Sequence, residues 1–233
     1  MTDCYRFADI TAEITTEYDL FHEMSRDYRD AGPALLHVRT DAADIARERS
    51  ISPDGASDAY LETLAVQRKL SEAFPAFGAF LFHASALSMD GKGYLFAALS
   101  GTGKSTHAAL WRQVFGDRVT MLNDDKPFLR IGDDVRVYGS PWDGKHRLSA
   151  NTSAEVRAIC LLERSEENVI VPISYAEAFP LLYRQAYRPK DRQALSQTLD
   201  LLNRLGEKVR FYRLSCNMDP EAALVSYGGM CRE

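Results

Sequence analysis

The sequence predicts an α/β protein with a mixed sheet and flanking helices. Short apolar runs rich in β-branched and aromatic residues alternate with longer helix-forming segments along the chain. One of these apolar runs ends in a glycine-rich turn that opens directly into a helix-forming segment. The 233 residues are 45% hydrophobic and 26% charged, which is typical of a globular protein with a sizeable core.

Residues 1–56 are expected to form a small β-rich N-terminal unit. Within it, residues 5–16 alternate as a strand or hairpin does, and the Ala-rich residues 41–50 suggest a short helix. The turn-forming run at residues 52–57 marks the boundary to a second unit, residues 57–233.

The second unit opens with a helix that Ser57 or Asp58 can cap and that ends near Phe74, because Pro75 follows. Residues 81–86 are expected to form a strand that carries His83. Further strands are predicted at residues 94–98, 119–122, 127–131, 135–138, 156–162, 169–173 and 208–214, and further helices at 107–115, 176–187, 191–206 and from 219 to about 227.

The most specific pattern is the turn between the strand at 94–98 and the helix at 107–115. Its glycines let successive backbone N–H groups converge on phosphate oxygens, and the helix N-terminus adds partial positive charge. Lys104 can reach the terminal phosphates, and the Ser105 hydroxyl can bind Mg²⁺. The turn therefore predicts a nucleoside triphosphate site formed by Ser100, Gly101, Thr102, Gly103, Lys104, Ser105 and Thr106.

This turn departs from the strict G-x-x-x-x-G-K-[ST] pattern at one position, because Ala98 stands where the first glycine is expected. The departure puts the tightness of the turn in question, but not the roles of Lys104 and Ser105. The alternative interpretation is a glycine-rich surface turn with an exposed lysine.

A pair of carboxylates follows the next predicted strand. Asp124 and Asp125 come directly after residues 119–122 and about twenty residues after Lys104. One carboxylate of such a pair can face Mg²⁺ while the other faces an attacking hydroxyl. The alternative is an Asn-Asp turn between strands with no chemical role.

These patterns together resemble those of two known families. Residues 99–104 resemble the kinase loop of ATP-dependent phosphoenolpyruvate carboxykinases. The wider layout, over about residues 76–145, is similar to HPr kinase/phosphorylase and its relatives, in which a histidine-bearing strand, a turn, a strand, the loop and an Asp-Asp pair follow one another. The resemblance implies a phosphoenolpyruvate-carboxykinase-like nucleotide fold. It also implies transfer of a γ-phosphoryl group from ATP, with Mg²⁺, to a hydroxyl, most simply a serine of a protein, a peptide or a small molecule.

The resemblance also implies roles for individual residues. Asp124 would act as the base, Ser105 and Asp125 would hold the metal, and Lys104 and His83 would act at the reacting phosphate. His83 could instead be a hydrogen-bonded core residue. Three other interpretations of the whole chain remain open: HPr kinase/phosphorylase proper, a carboxykinase-like enzyme, and a nucleotide-binding regulatory module without turnover.

Basic side chains in two segments are candidates for binding the acceptor. Lys145 and Arg147 lie in a glycine-containing loop after the Asp-Asp pair, and Arg188 belongs to a basic cluster around Pro189. Such groups can hold a carboxylate or a phosphate of the acceptor. The alternative for each is a solvated surface charge.

The composition argues against several other classes of protein. A net charge of −5 and the lack of a Lys/Arg run argue against nucleic-acid binding as the main task. No apolar run is long enough for a membrane span, and the acidic start of the chain does not suggest a signal peptide. The four cysteines have no C-x-x-C spacing, so we expect reduced thiols, no zinc site and a cytoplasmic location. The oligomeric state is not predicted.

Overall fold

The structure is a computed structural model that describes residues 1–144 and 147–231. Within these ranges the strands are β1 (Thr2–Phe7), β2 (Ile10–Thr15), β3 (Leu36–Arg39), β4 (Ala79–Leu81), β5 (Ser85–Met89), β6 (Lys92–Ala97), β7 (Val119–Asn123), β8 (Phe128–Ile131), β9 (Val135–Tyr138), β10 (Ser153–Arg164), β11 (Val169–Ile173) and β12 (Arg210–Cys216). The α-helices are α1 (Leu20–Met24), α2 (Ala42–Arg49), α3 (Asp58–Ala73), α4 (Lys104–Phe115), α5 (Tyr175–Gln185), α6 (Arg192–Lys208) and α7 (Glu221–Cys231).

Nine of the strands in the described ranges form one mixed sheet. Its main path runs β4-β8-β9-β10-β6-β5-β7, and β12 pairs with β10 and β11. The 12-residue strand β10 organises this sheet, because it pairs with β9 near its start and with β6 and β12 further along. The predicted fold class, a mixed sheet with flanking helices, is confirmed.

The directions of the central strands decide where functional groups meet. Strands β6, β10 and β12 are parallel, and β5 runs antiparallel to both β6 and β7. Consequently β6, β7, β10 and β12 all end at the same end of the sheet, where β5 begins. We call this the carboxyl end of the sheet. In sheets of this kind ligands bind beyond the carboxyl ends of the strands.

Helices cover both faces of the large sheet. Along β6, Tyr94 and Phe96 pack with Trp111 of α4 and with α7, whereas Leu95 and Ala97 pack toward α5 and α6. This alternation is the two-residue period of a strand that is buried on both faces. The sheet is therefore held rigidly from both sides, which fixes the positions of the loops at its carboxyl end.

The three remaining strands form a separate N-terminal sheet, in which β2 pairs with β1 and β3. Its buried side chains share a hydrophobic core with α3, Phe128 of β8 and Trp142. The division of the chain near residue 56 stays a prediction. Among the described helices, none has the length and apolar character that crossing a bilayer requires.

Most of the predicted elements lie where the sequence placed them, and α3 begins after its Ser57 cap. One prediction is wrong. Residues 81–86 do not form one strand, because the chain leaves β4 at Leu81 and enters β5 at Ser85. Between them Phe82 bridges to Ala186, and the His83 N–H donates to the Gln185 carbonyl at 2.9 Å. These contacts with the end of α5 replace the strand pairing that the apolar pattern suggested.

Candidate active site

The glycine-rich loop connects β6 directly to the first turn of α4. Gly101 and Gly103 have φ values of +78° and +125°, which L side chains rarely adopt, so both positions need glycine for backbone reasons. The Thr102 N–H closes the turn on the Leu99 carbonyl at 3.2 Å. By contrast, Ala98 is not among the residues with positive φ. Alanine therefore fits at the position where the strict pattern has glycine.

Lys104 lies almost buried at the start of α4, with 9% of its surface exposed. Its Nζ donates to the Ala98 carbonyl over a long 3.3 Å, and the Gln185 Nε2 donates to the same oxygen at 3.1 Å. Burial lowers the pKa of Lys104, and the charge of Asp125 opposes this shift. The ammonium is thus desolvated and weakly bonded, a state in which it can gain much from a phosphate.

A buried asparagine shapes the turn that carries the two aspartates. The Asn123 Oδ1 accepts the N–H groups of Asp125 at 2.8 Å and Lys126 at 2.6 Å. Its Nδ2 donates to the carbonyls of Ser140 at 2.9 Å and Trp142 at 3.3 Å. The Asn-Asp turn is therefore real, and it fixes the direction in which both carboxylates leave the end of β7.

Asp124 is the more enclosed member of the pair, with 7% of its surface exposed. The Ser85 hydroxyl, at the start of β5, donates to its Oδ1 at 2.6 Å. On the other side lies Gly144, where a Cβ would stand 3.2 Å from the Asp124 carbonyl and 3.4 Å from its Oδ2. Asp124 is thus held in one orientation, while the absence of a side chain at residue 144 leaves room beside its free oxygen.

Asp125 is surrounded by cationic or protonatable groups. Its Oδ1 lies 3.1 Å from His83 Nε2 and 3.2 Å from Lys126 Nζ. Burial alone would raise the pKa of Asp125, but the hydrogen bond from His83 and the charge of Lys126 outweigh it and lower the pKa. Asp125 is therefore a carboxylate that stays ionised, as a metal ligand must be.

The loop and both aspartates open into one cleft of about 760 Å³. A further carboxylate, Asp143, also lines it; burial raises the Asp143 pKa, against the effect of a hydrogen bond from Ser149. The lining residues are Tyr60, His83, Ser100, Gly101, Gly103, Lys104, Ser105, Thr106, Asp124, Asp125, Asp143 and Gly144.

The chemistry of this cleft fits Mg²⁺ held together with phosphates. Among the residues that the structure describes, no group of three or more His, Cys, Asp or Glu side chains forms a ready metal cage. Mg²⁺ does not need one, because it is commonly held by one or two carboxylates, waters and substrate phosphates. The Ser105 hydroxyl and the Asp125 carboxylate supply the hard oxygen ligands that this ion prefers.

The structure brings most of the predicted loop and aspartate residues together around the cleft. Thr102 lines a neighbouring cavity and is not among the residues that line the cleft. Arg147 is exposed, and its N–H donates to the carbonyl of Gly144 at 3.0 Å. Lys145 lies outside the described residues. The guanidinium of Arg188 donates to the carbonyls of Tyr183 and Arg184 at the end of α5, and Arg188 is not among the residues that line the cleft.

Sequence reasoning missed two groups that contact the site, Ser85 and Gln185, and it gave Asn123 only as part of an alternative turn without a chemical role. Ser85 belongs to the run that was noted for His83, but nothing local links it to Asp124. Asn123 stands beside the aspartates, so its turn-forming side chain was the available signal. No sequence signal points to Gln185, whose Nε2 reaches the Ala98 carbonyl from a helix 87 residues away.

Comparisons with known proteins add little to this geometry. No protein-family model matches the chain, and no curated protein matches it. Among solved structures, the chain is similar to the Hpr(Ser) kinase/phosphatase from Coxiella burnetii, with 10% identity and a TM-score of 0.38 over 64% of this chain and 94% of that chain. At this level of similarity no conclusion about the site or the reaction follows.

Proposed function

We propose that the protein is an ATP- and Mg²⁺-dependent kinase that transfers the γ-phosphoryl group to an alcohol, most simply a serine hydroxyl. One observation supports this most strongly. The loop after β6 and the aspartate pair after β7 face the same cleft, since both strands end at the carboxyl end of the sheet.

In phosphoryl transfer, the residues around the cleft have separate roles. The loop N–H groups and Lys104 bind the β- and γ-phosphates, and Ser105 and Asp125 hold Mg²⁺. When bound, Mg²⁺ neutralises charge on the phosphate oxygens. Asp124 accepts the proton of the acceptor hydroxyl while the hydroxyl oxygen bonds to the γ-phosphorus. The bond between the γ-phosphorus and the oxygen of the leaving ADP breaks in the same step. Positioning and electrostatics supply most of the rate.

Neighbouring side chains support this division of roles. Ser85 occupies Oδ1 of Asp124, which leaves Oδ2, beside Gly144, to take the proton. The hydrogen bond from His83 keeps Asp125 ionised, which makes it a poor proton acceptor and a good metal ligand. His83 therefore acts through Asp125 in this proposal.

The acceptor would enter the cleft that Tyr60 and Asp143 also line. Arg147 and Lys145, in the loop after Gly144, are the candidates for holding an anionic group of the acceptor, and Arg188 is a more remote one. The proposed acceptor is a hydroxyl-bearing protein, peptide or small molecule. We place the reaction in the cytoplasm, where ATP and Mg²⁺ are abundant and free cysteines such as the four here stay reduced.

A transfer assay tests the proposal. The protein is incubated with γ-³²P-ATP, Mg²⁺ and a cell lysate, and labelled proteins, peptides and small molecules are separated. We expect label on a serine or another alcohol with the wild type and none with Asp124→Asn. If the wild type binds ATP but labels nothing beyond the Asp124→Asn background, the kinase proposal fails and a regulatory nucleotide-binding module takes its place.

A further inference from the structure

A second cavity lies on the other side of the glycine-rich loop. It encloses about 430 Å³ beyond the carboxyl ends of β10 and β12. Leu162 and the partly buried Cys216 contribute apolar walls, and the side chain of Met218 lies at the rim. No role has been given to this cavity by the phosphoryl-transfer proposal.

The second cavity and the catalytic cleft meet at the loop. Gly101, Gly103 and Thr106 line both of them. The cleft contains three carboxylates, Asp124, Asp125 and Asp143, whereas the second cavity has one, Glu163, which is paired with Arg213. The binding surface along the loop therefore has a strongly acidic end in the cleft, suited to a metal, and a mostly apolar end in the second cavity.

The order of strands fixes the direction of a bound triphosphate. From one side to the other, the relevant strands are β12, β10, β6, β5 and β7. If the γ-phosphate lies at the aspartates after β7, the rest of the nucleotide must leave the loop toward β10 and β12. That path leads into the second cavity.

Two side chains there suit a flat aromatic ring. The guanidinium of Arg164 donates to the carbonyls of Gly101 and Thr102, which fixes the edge of the group on the loop. Met218 is 76% exposed, an unusual exposure for a large apolar side chain without a cover. Guanidinium groups stack on aromatic rings, and methionine adapts its shape to them.

Two residues at this rim, Asn217 and Ser165, already have hydrogen-bond partners within the protein. Asn217 donates from Nδ2 to the Glu166 carbonyl at 2.9 Å and accepts the Asp219 N–H at 2.9 Å. The Ser165 N–H donates to the Cys216 carbonyl at 3.0 Å. Stacking is therefore the main interaction that this rim provides, although His107, which also lines the cavity, has a buried Nδ1 with no hydrogen-bond partner among the described residues.

We propose that this cavity binds the base and ribose of the nucleotide, with the base stacked between Arg164 and Met218. The inference rests on the proposed function, because it takes the position of the γ-phosphate from it. A rival location exists in the cleft itself, where Tyr60 is 47% exposed and could stack on a base.

Calorimetry with two probes separates the contribution of the base to binding affinity from that of the phosphates. MgATP carries both, and magnesium tripolyphosphate carries only the phosphates. We expect Met218→Ala to weaken MgATP binding about fivefold, the value of about 1 kcal/mol of stacking, and to leave tripolyphosphate binding unchanged. Leu224→Ala, which removes another exposed apolar side chain, on α7, should change neither affinity.

Different failures have different meanings. If Met218→Ala binds MgATP as the wild type does, or if Tyr60→Ala selectively weakens MgATP binding, the base does not occupy this cavity, although the phosphate site stands. If the wild type binds neither probe, the proposed function fails together with this inference. Photolabelling with 8-azido-ATP gives a second measurement: we expect label on the peptide that contains Cys216 and Met218, and label at Tyr60 would overturn the assignment.

Discussion

Replacing Lys104 by methionine should weaken nucleotide binding without weakening the fold. The ammonium of Lys104 is almost buried, its bond to the Ala98 carbonyl is long, and it forms no ion pair with a carboxylate in the described ranges. Burial lowers its pKa, which means that the charged form is disfavoured in the free protein. Methionine keeps most of the length of the lysine side chain and removes its positive charge.

The surroundings of Lys104 give the expected size of both changes, the one in stability and the one in nucleotide affinity. Replacing a poorly compensated buried charge by a similar apolar side chain is neutral or stabilising, here by up to about 1 kcal/mol of unfolding free energy. A hydrogen bond to a charged phosphate contributes about 1.5–3 kcal/mol, so the Kd for MgATP should rise about 10- to 150-fold.

Urea unfolding and calorimetry with MgATP measure the two quantities on the same protein. Lys190→Met is the matched control, because it removes the same charge from an exposed position and should alter neither stability nor affinity. Wild-type affinity in a folded Lys104→Met variant would refute the assignment of the loop. A loss of more than about 2 kcal/mol in stability would show instead that Lys104 holds the fold together.

Four other substitutions test the surrounding groups. Asp124→Asn should abolish phosphoryl transfer and spare MgATP binding, whereas Asp125→Asn should raise the Mg²⁺ concentration needed for activity; exchanged phenotypes in steady-state kinetics would reverse the two roles. Gln185→Met should lower the unfolding free energy by about 1 kcal/mol, because the buried hydrogen bond to the Ala98 carbonyl is lost and removal of the unpartnered Gln185 Oε1 offsets only part of this cost; an unchanged urea midpoint would contradict this. Burial lowers the pKa of His107 to about 4, so the contribution of the neutral imidazole to stability is complete above pH 6.5 and is lost as pH falls through 4. Between pH 7 and pH 5 the unfolding free energy of the wild type should therefore fall by about 2 kcal/mol more than that of His107→Gln. Parallel pH profiles of the two proteins would exclude this effect.

The parts of this site that the sequence predicts are those that neighbouring residues determine. The loop from Ser100 to Thr106 needs glycine at positions of positive φ, a helix start and a lysine, all within a few residues. The Asp124 turn depends on Asn123, its neighbour. Such local requirements are visible in a single sequence, and so is the alternation that marks β6 as buried on both faces.

The rest depends on contacts between distant parts of the chain. Strand β12 inserts between β10 and β11, so two strands that are consecutive in sequence are not paired. Ser85 reaches Asp124 across 39 residues, and the end of α5 draws His83 out of a strand. Apolar patterns report that a segment is buried but not which partner covers it, so these features could not be read from the sequence.

A crystal structure with Mg²⁺ and a non-hydrolysable ATP analogue tests the central claim most directly. It should place the β- and γ-phosphates on the N–H groups of the loop that ends at Lys104, the metal on Ser105 and Asp125, and the γ-phosphate toward Asp124. A nucleotide bound away from this loop, or bound with its γ-phosphate toward Met218, would contradict the account.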